Sequence, residues 1–178
     1  MYPNTLYLLR GNHESESMNS IYGFRRELLL NNYSNDLFVQ FNHVFDLLPL
    51  AAILSHKYFC VHGGLSDIQS LDEIRNIERP ASPLTNSLVQ DLIWSDPSSN
   101  HPDFSPSRRG SGKNFGKAII DKYLNDFNLK GIFRAHQCIT SGVEQFDNTP
   151  LYTIFSCSNY CFTYNNNCGY INVSEDTS

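Results

Sequence analysis

The sequence predicts a mixed fold of class α/β or α+β, in which helices and strands are interspersed along one domain. Short apolar runs that end at glycine or polar residues indicate buried strands. Longer segments with apolar residues three or four positions apart indicate amphipathic helices. The chain has 178 residues, of which 40% are hydrophobic and 13% aromatic, so it can bury a core. No repeat or linker divides it, and we expect a single domain over residues 1–178.

For the first third of the chain, the sequence predicts one strand, then two helices, then two more strands. The predicted elements are a strand over residues 5–9, helices over 21–30 and 36–47, and strands over 51–54 and 58–61. Gly11 ends the first strand, and the last two strands are joined by a polar turn. The second helix ends at Pro49 and carries Leu37, Phe41 and Val44 on one apolar face.

The rest of the chain predicts a long loop, a helix and three more strands. The predicted elements are a short helix over residues 71–77, a segment over 80–114 that is mostly loop around residues 89–94, a helix over 117–127, and strands over 131–135, 151–156 and 170–173. Asp72 and Glu73 favour the short helix, because acidic residues in the first turn complement the helix dipole. A loop as long as 80–114 in a compact domain is usually functional or disordered.

Charge and cysteine content argue against several classes of protein. The formal net charge of -5 argues against a nucleic-acid-binding surface, although two arginines suffice to bind one phosphate. No apolar run is long enough to span a bilayer, and the N-terminus lacks the pattern of a secretory signal. The five cysteines include no Cys-x-x-Cys pair, which indicates reduced thiols in a cytoplasmic or nuclear protein.

Three short segments place polar residues directly after apolar runs. The segments are Leu-Arg-Gly-Asn-His-Glu at 9–14, Phe-Cys-Val-His-Gly-Gly at 59–64 and Ile-Phe-Arg-Ala-His-Gln at 132–137. Asn12, His13, His62 and His136 therefore follow predicted strand ends, where open α/β folds assemble sites. Imidazole nitrogens and an amide oxygen would suit Mn, Fe or Zn. A single histidine in such a place is more often a hydrogen-bonded structural residue, so the signal lies in the set.

These segments belong to a longer ordered series. The series is Arg-Gly-Asn-His-Glu at 10–14, His-Gly-Gly at 62–64, Trp-Ser-Asp-Pro at 94–97, Arg-Ala-His-Gln at 134–137 and Ser-Asn-Tyr-Cys at 158–161. It resembles the motif series of the phosphoprotein phosphatase family, which includes protein phosphatases 1, 2A, 5 and calcineurin. The resemblance extends from about Tyr2 to Val173, and the segment at 134–137 is most similar to the protein phosphatase 1 and 2A group. The first segment alone would also suit bacterial-type dinucleoside tetraphosphate hydrolases, whereas those at 94–97 and 159–161 favour the protein phosphatases.

The resemblance implies a fold and a reaction. The fold would be the metallophosphoesterase-type four-layer β-sandwich flanked by helices. The reaction would be hydrolysis of phosphoserine and phosphothreonine esters by a hydroxide that two divalent metal ions (Mn, Fe or Zn) activate. Carried over by motif, Asn12, His62 and His136 would be ligands of one metal. His13 would be the general acid that protonates the leaving seryl oxygen.

Three further residues take their roles from the resemblance. Arg109 would clamp the phosphate, and the alternative is a solvated Arg108–Arg109 pair in a loop. Tyr160 would line the substrate cleft, and the alternative is a half-buried tyrosine bonded to backbone. Asp96 would help to hold the site electrostatically, and the alternative is a cap on the turn at Pro97.

The loop that carries Tyr160 departs from the family pattern. Ser-Cys-Ser-Asn-Tyr at 156–160 replaces the usual Ser-Ala-Pro-Asn-Tyr, and loss of the proline should loosen the turn. The loop at 162–168 is also atypical, and its asparagines at 165–167 indicate a turn.

Two motifs that open the family's site, Gly-Asp-x-His-Gly and Gly-Asp-x-Val-Asp-Arg-Gly, do not occur in the sequence. They would lie upstream of Met1 and would supply the ligands of the other metal, the bridging Asp, the partner of the general acid and a second phosphate-binding Arg. We therefore expect a partial calcineurin-like metallophosphoesterase domain without its N-terminal part, in which only one metal's ligands are largely present. We expect this chain alone to lose most activity.

Two hypotheses follow from this incomplete site. The chain is either a fragment of a working phosphatase or a non-catalytic phosphatase-like module that binds phosphatase partners. The expected partners are phosphoprotein substrates and regulatory subunits, with no nucleic acid and no membrane.

Overall fold

The computed structural model describes residues 4–174 and has the mixed α/β architecture that the sequence predicts. The helices are α1 (Glu16–Asn19), α2 (Phe24–Leu30), α3 (Asn35–Phe45), α4 (Asp72–Arg75), α5 (Ser87–Trp94) and α6 (Lys117–Asp126). The strands are β1 (Ala51–Leu54), β2 (Tyr58–Val61), β3 (Asp96–Pro97), β4 (Ser105–Pro106), β5 (Lys113–Phe115), β6 (Gly131–Arg134), β7 (Val143–Gln145) and β8 (Leu151–Ile154). None of the helices between residues 4 and 174 is both long and apolar enough to span a membrane.

A five-stranded sheet with the order β1-β2-β6-β8-β7 forms the centre of the fold. The strands β2, β6 and β8 run parallel, and the outer strands β1 and β7 pair antiparallel with their neighbours. Phe59 pairs with Ile132, and Ile132 pairs with Leu151, so these three buried residues form a row across the parallel strands. Because β2 and β6 are parallel neighbours, the residues after them meet at one edge of the sheet.

The helices α5 and α6 contribute much of the core beside this sheet. Val89, Leu92 and Ile93 of α5 are fully buried, and α6 buries Ile119, Ile120 and Tyr123. The sequence sets residues 89–94 apart from the predicted loop without assigning them an element, and the structure shows that they belong to the helix α5. Asn86 begins this helix, because its side chain accepts hydrogen bonds from the backbone N–H groups of Leu88 and Val89.

A small second sheet lies within the same predicted loop. It has the order β3-β5-β4, and β3 leads directly from the end of α5. The segment 80–114 is therefore partly ordered by a helix and three short strands. It positions Asp96, which lies in β3 and pairs with Asn114 of β5.

Most predicted elements are confirmed to within three residues at each end. The structure contains helices and strands at the predicted positions of α2, α3, α4, α6, β1, β2, β6 and β8. The short strand β7 was not predicted.

Two predicted strands, residues 5–9 and 170–173, are absent from the structure. A strand is stable only when a neighbour satisfies its backbone hydrogen bonds, and no described strand pairs with either segment. Leu6, Tyr7 and Leu8 are 64%, 72% and 62% exposed, so both faces of the first segment lack a packing partner among the described residues.

The predicted apolar face of α3 is only partly buried. Phe38 and Asn42 are its buried residues, whereas Phe41 and Val44 are exposed. Asn42 is buried because its side chain exchanges hydrogen bonds with Asn19 and donates to the backbone oxygen of Phe38.

Candidate metal and phosphate site

Three neutral side chains meet at the edge of the central sheet. The Nε2 atom of His62 lies 2.8 Å from Oδ1 of Asn12 and 3.2 Å from Nδ1 of His136. The same Nδ1 atom lies 3.2 Å from Oδ1 of Asn12. The three potential metal-ligand atoms therefore form a small triangle with sides of 2.8 to 3.2 Å.

The sheet brings the two histidines together. His62 follows β2 and His136 follows β6, and the backbone N–H of Ala135 donates to the backbone oxygen of His62 at 2.9 Å. His136 adopts a φ of 65°, which turns its side chain away from the course of the strand. Its ring packs edge-on against His62 and against Trp94, with centroid distances of 5.1 and 5.5 Å.

The close approach of the loops depends on Gly63. A Cβ atom there would collide with the backbone of Ile93 and Trp94 at the end of α5. The backbone N–H of Gly63 also donates to the backbone oxygen of Leu92 at 2.8 Å. The residue after His62 is thus fixed against the helix, and this leaves the imidazole facing the site.

A buried arginine holds the segment that carries Asn12. Arg10 is 1% exposed, and its Nε donates to the backbone oxygen of Glu14 at 2.9 Å. Its terminal nitrogens donate to the backbone oxygen of Ala81 and, at 2.5 Å, to Oδ1 of Asp46. The segment therefore has a fixed position, although residues 5–9 before it do not form the predicted strand.

Both histidines of the triangle are held in the neutral form. Burial, with Arg134 and His13 nearby, lowers the pKa of His62 to about 4. Burial, with His62, Arg134, Arg109 and His13 nearby, lowers the pKa of His136 to about 2. Neutral imidazoles keep the lone pairs that a metal ion needs.

The donor set of Asn12, His62 and His136 fits one divalent metal ion. Two imidazole nitrogens and one amide oxygen form a borderline ligand set of the kind that Mn, Fe or Zn accepts. His62 Nε2 and His136 Nδ1 lie 3.2 Å apart. When both nitrogens are unprotonated, no hydrogen atom lies between them, and a metal ion at the centre would stabilise this contact. Within residues 4–174 no three or more His, Cys, Asp or Glu side chains form a further group that could hold a metal.

The triangle lies at the bottom of a cleft of about 1020 Å³. His13, Arg109 and Tyr160 line this cleft together with the three donor residues. The His13 ring is exposed and stands edge-on to the Tyr22 ring at a centroid distance of 5.3 Å. The imidazole of His13 can therefore exchange a proton with a molecule in the cleft.

Asp96 lies behind the cleft and is 6% exposed. Its Oδ2 accepts a hydrogen bond from Nε of Arg109 at 2.6 Å, and its Oδ1 accepts one from Nη2 of Arg134 at 2.8 Å. The side chain of Arg109 is 40% exposed, so its Nη groups can face a ligand while Nε is held. This geometry fits the electrostatic role that was predicted for Asp96 better than a turn cap.

The loop that carries Tyr160 is organised by a buried asparagine. Asn166 is 7% exposed, and its Oδ1 accepts from the backbone N–H of Tyr160 at 2.9 Å. Its Nδ2 donates to the backbone oxygens of Cys157 and Asn167 at 2.8 and 3.0 Å. Burial raises the pKa of the Tyr160 phenol above its usual value of 10.0, and the neutral phenol can donate a hydrogen bond.

Six of the seven predicted site residues line the one cleft, and Asp96 supports it from behind. Sequence reasoning gave no role to Arg134 or Asn166. A charged residue at the end of an apolar strand was the available signal for Arg134, since a buried arginine must be paired. Asn166 had no comparable signal, because the asparagines at 165–167 also suit an exposed turn.

The chain is similar to a protein family and to a protein of known structure. Residues 1–139 match the family model described as calcineurin-like phosphoesterase. A solved structure described as a protein serine/threonine phosphatase from Saccharomyces cerevisiae with similarity to human phosphatase PP5 is similar with a TM-score of 0.85 and 39% sequence identity. The match covers 93% of this chain and 52% of that one, so this chain spans about half the length of that relative.

Proposed function

Because the chain belongs to the calcineurin-like phosphoesterase family and has the metallophosphoesterase fold, we propose that it forms part of a metal-dependent protein serine/threonine phosphatase. The observation that carries the proposal is the triangle of Asn12, His62 and His136 at the bottom of a cleft that Arg109 and Tyr160 also line. The candidate metal ligands and the Arg109 guanidinium, which can bind phosphate, line the same cleft, and this supports the proposal.

Asn12, His62 and His136 would hold one divalent metal ion. When bound, such an ion supplies positive charge that neutralises phosphoryl oxygens and lowers the pKa of the attacking water. All three ligands are uncharged, and no carboxylate joins them among the described residues. Tight binding and a second metal therefore require ligands from beyond this set.

The other cleft residues have separate roles in substrate binding and proton transfer. Arg109 binds two phosphoryl oxygens through its exposed nitrogens, since a guanidinium matches phosphate geometry. Tyr160 donates a hydrogen bond at the wall of the cleft. His13 gives a proton to the leaving oxygen, which matters because a serine or threonine alkoxide is a poor leaving group. The work of the cleft is thus to bind the phosphate, orient it and supply a proton.

The substrate class rests on the relative of known structure. The matched yeast protein is described as a serine/threonine phosphatase, and it is 39% identical to this chain in a match that covers 93% of this chain. We accordingly propose phosphoserine and phosphothreonine side chains of proteins as substrates, with regulatory subunits as further partners. The five cysteines are all free, which supports a reducing compartment such as the cytoplasm or nucleus.

A specific observation favours a second function, a non-catalytic module that binds phosphatase partners. The ligand triangle has no carboxylate, and apolar side chains such as Leu6, Tyr7, Leu8 and Leu30 are widely exposed. An exposed apolar surface of this kind is typical of a protein-binding face.

One experiment separates the two functions. The native protein would be captured from its source with an antibody to this chain, its intact mass measured, and its hydrolysis of a phosphoserine peptide assayed with and without Mn²⁺. A mass well above that of 178 residues, with Mn²⁺-dependent hydrolysis, supports the phosphatase. A mass equal to that of this chain, with no hydrolysis, would contradict it and support the binding module.

A further inference from the structure

Arg134 is the most completely buried charged side chain beside the cleft. Its side chain is 0% exposed, and burial lowers its pKa to about 10, although Asp96 opposes that shift. Retaining a charge in such a place is costly unless the group is paired and hydrogen-bonded. The hydrogen bonds of Arg134 show which parts of the site this side chain connects.

The three nitrogen atoms of the Arg134 guanidinium donate four hydrogen bonds. The Nε atom donates to the backbone oxygen of Gly63 at 2.6 Å, and Nη1 donates to Oε1 of Gln137 at 2.7 Å. The Nη2 atom donates to the backbone oxygen of Ser95 at 3.1 Å and to Oδ1 of Asp96 at 2.8 Å. A planar fork with five N–H donors can make such a set, and an ammonium cannot.

These acceptors are the direct neighbours of the residues proposed to bind metal and phosphate. Gly63 follows His62, Gln137 follows His136, and Asp96 holds Nε of Arg109 at 2.6 Å. One side chain therefore ties together both histidine loops and the arginine that faces the phosphate.

We infer that Arg134 is a positioning residue that fixes His62 and His136 for metal binding and, through Asp96, holds Arg109 over the same cleft. The inference goes beyond the proposed function and uses its site. Arg134 touches neither substrate nor metal, because its side chain is fully buried. Its effect is on the spacing of the groups that do.

The first test examines the metal-free protein, so that it does not depend on activity. Long-range ¹H–¹⁵N spectra resolve the ring nitrogens of the six histidines and show their tautomers. In Arg134→Lys we expect the ring signals of His62 and His136 to move. The exposed His43, His56 and His101 serve as internal controls whose signals stay in place. Unchanged signals from His62 and His136 in a folded Arg134→Lys protein would overturn the inference.

A second variant makes a smaller change than Arg134→Lys and tests the inference even where Arg134→Lys fails to fold. Gln137→Met removes one of the four bonds and keeps the length of the side chain. We expect it to move the His136 signals more than those of His62, because Gln137 adjoins only His136. A merely structural role for Arg134 predicts equal, small changes at both rings, and that result would contradict the inference.

The second test measures Mn²⁺ binding to the full chain by the electron paramagnetic resonance signal of free Mn²⁺. Loss of a group that orients metal ligands typically weakens metal binding by about 10- to 100-fold, and we expect a loss in this range for Arg134→Lys. The matched control is Arg75→Lys, an exposed arginine paired only with Asp72, which should bind Mn²⁺ like the wild type. Equal affinity in both variants would overturn the inference. A wild-type chain that takes up no Mn²⁺ counts instead against the proposed function, and the histidine spectra then decide the role of Arg134.

Discussion

Arg109 and Asp96 form an ion pair in which Nε lies 2.6 Å from Oδ2, and the two side chains differ sharply in burial. The side chain of Asp96 is 9% exposed, whereas that of Arg109 is 40% exposed. The buried member therefore orients the exposed one toward the cleft. A salt bridge of this kind contributes more to the placement of a phosphate-binding group than to stability.

Asp96→Asn should weaken phosphate binding. The amide cannot accept from both arginines as a carboxylate does, so Arg109 loses its fixed orientation and Arg134 loses its counter-charge. Removing one member of a buried pair costs about 3–5 kcal/mol of stability, and we expect a lower unfolding temperature as well. The concentration of inorganic phosphate that competes with the substrate measures phosphate binding in each variant.

Arg108→Ala is the control for that variant. Arg108 is exposed and lies next to Arg109 in the sequence, so its replacement removes a nearby positive charge and leaves the Arg109–Asp96 pair in place. Phosphate binding that falls equally in Arg108→Ala and Asp96→Asn would show that Arg109 needs no support from Asp96.

His62→Ala should abolish any metal-dependent hydrolysis. His62 Nε2 is one corner of the triangle, at 2.8 Å from Asn12 Oδ1 and 3.2 Å from His136 Nδ1, so its loss leaves two neutral metal-ligand atoms. Activity would be titrated against Mn²⁺ in the longest form of the protein that can be isolated. His101→Ala removes an exposed histidine away from the cleft and should leave activity intact. Activity retained by His62→Ala would refute the metal site.

His13→Asn should slow turnover more than it weakens metal binding. Asparagine keeps a polar side chain but cannot give up a proton near neutral pH, whereas general acid catalysis typically contributes about 10²–10⁴-fold. The defect should be large for a phosphoserine peptide and small for p-nitrophenyl phosphate, whose leaving group needs no proton. Equal defects for both substrates would remove His13 as the acid.

The elements that were predicted correctly are those whose burial follows a local period. The strands β1, β2 and β6 are apolar runs between turn residues, and α6 has apolar residues on one side. The sequence sets residues 89–94 apart from the loop but does not predict a helix there, because α5 is a short element inside a Ser- and Asn-rich segment and its cap Asn86 resembles another loop residue. The segment 5–9 has the composition of a strand, but the partner that a strand requires is not a property of that segment.

The site residues were predicted from motifs, and the links between them were not. The sequence places polar residues after β2 and β6, and only the sheet order β2-β6 makes His62 and His136 neighbours. The roles proposed for these residues stay predictions until variants are measured. The contacts of Arg134 join residues up to 71 positions away, and no pattern within one segment encodes such a bond.

Asn166→Asp should weaken substrate binding while leaving metal binding unchanged. Aspartate keeps the acceptor for the Tyr160 backbone N–H but loses both N–H donors to Cys157 and Asn167, and this leaves a carboxylate against backbone oxygens. We expect a higher KM for a phosphopeptide, because the Tyr160 loop is no longer held in place. Asn165→Asp makes the same change at an exposed neighbour and should bind normally. A lower Mn²⁺ affinity in Asn166→Asp would show that the loop also supports the metal site.

Tyr123→Phe should destabilise the fold and make its stability less sensitive to alkaline pH. The Tyr123 hydroxyl donates to the backbone oxygen of Ser66 and accepts from its N–H at 3.1 Å, so phenylalanine leaves both groups unpaired at a cost of about 1–3 kcal/mol. Burial raises the pKa of this phenol well above its usual value of 10.0. A raised pKa in the folded state means that the contribution is complete below pH 10 and is lost as the pH rises further. Urea unfolding at pH 7 and above pH 10 tests this, with the exposed Tyr170→Phe as control, and a wild type and Tyr123→Phe that lose stability in parallel would contradict it.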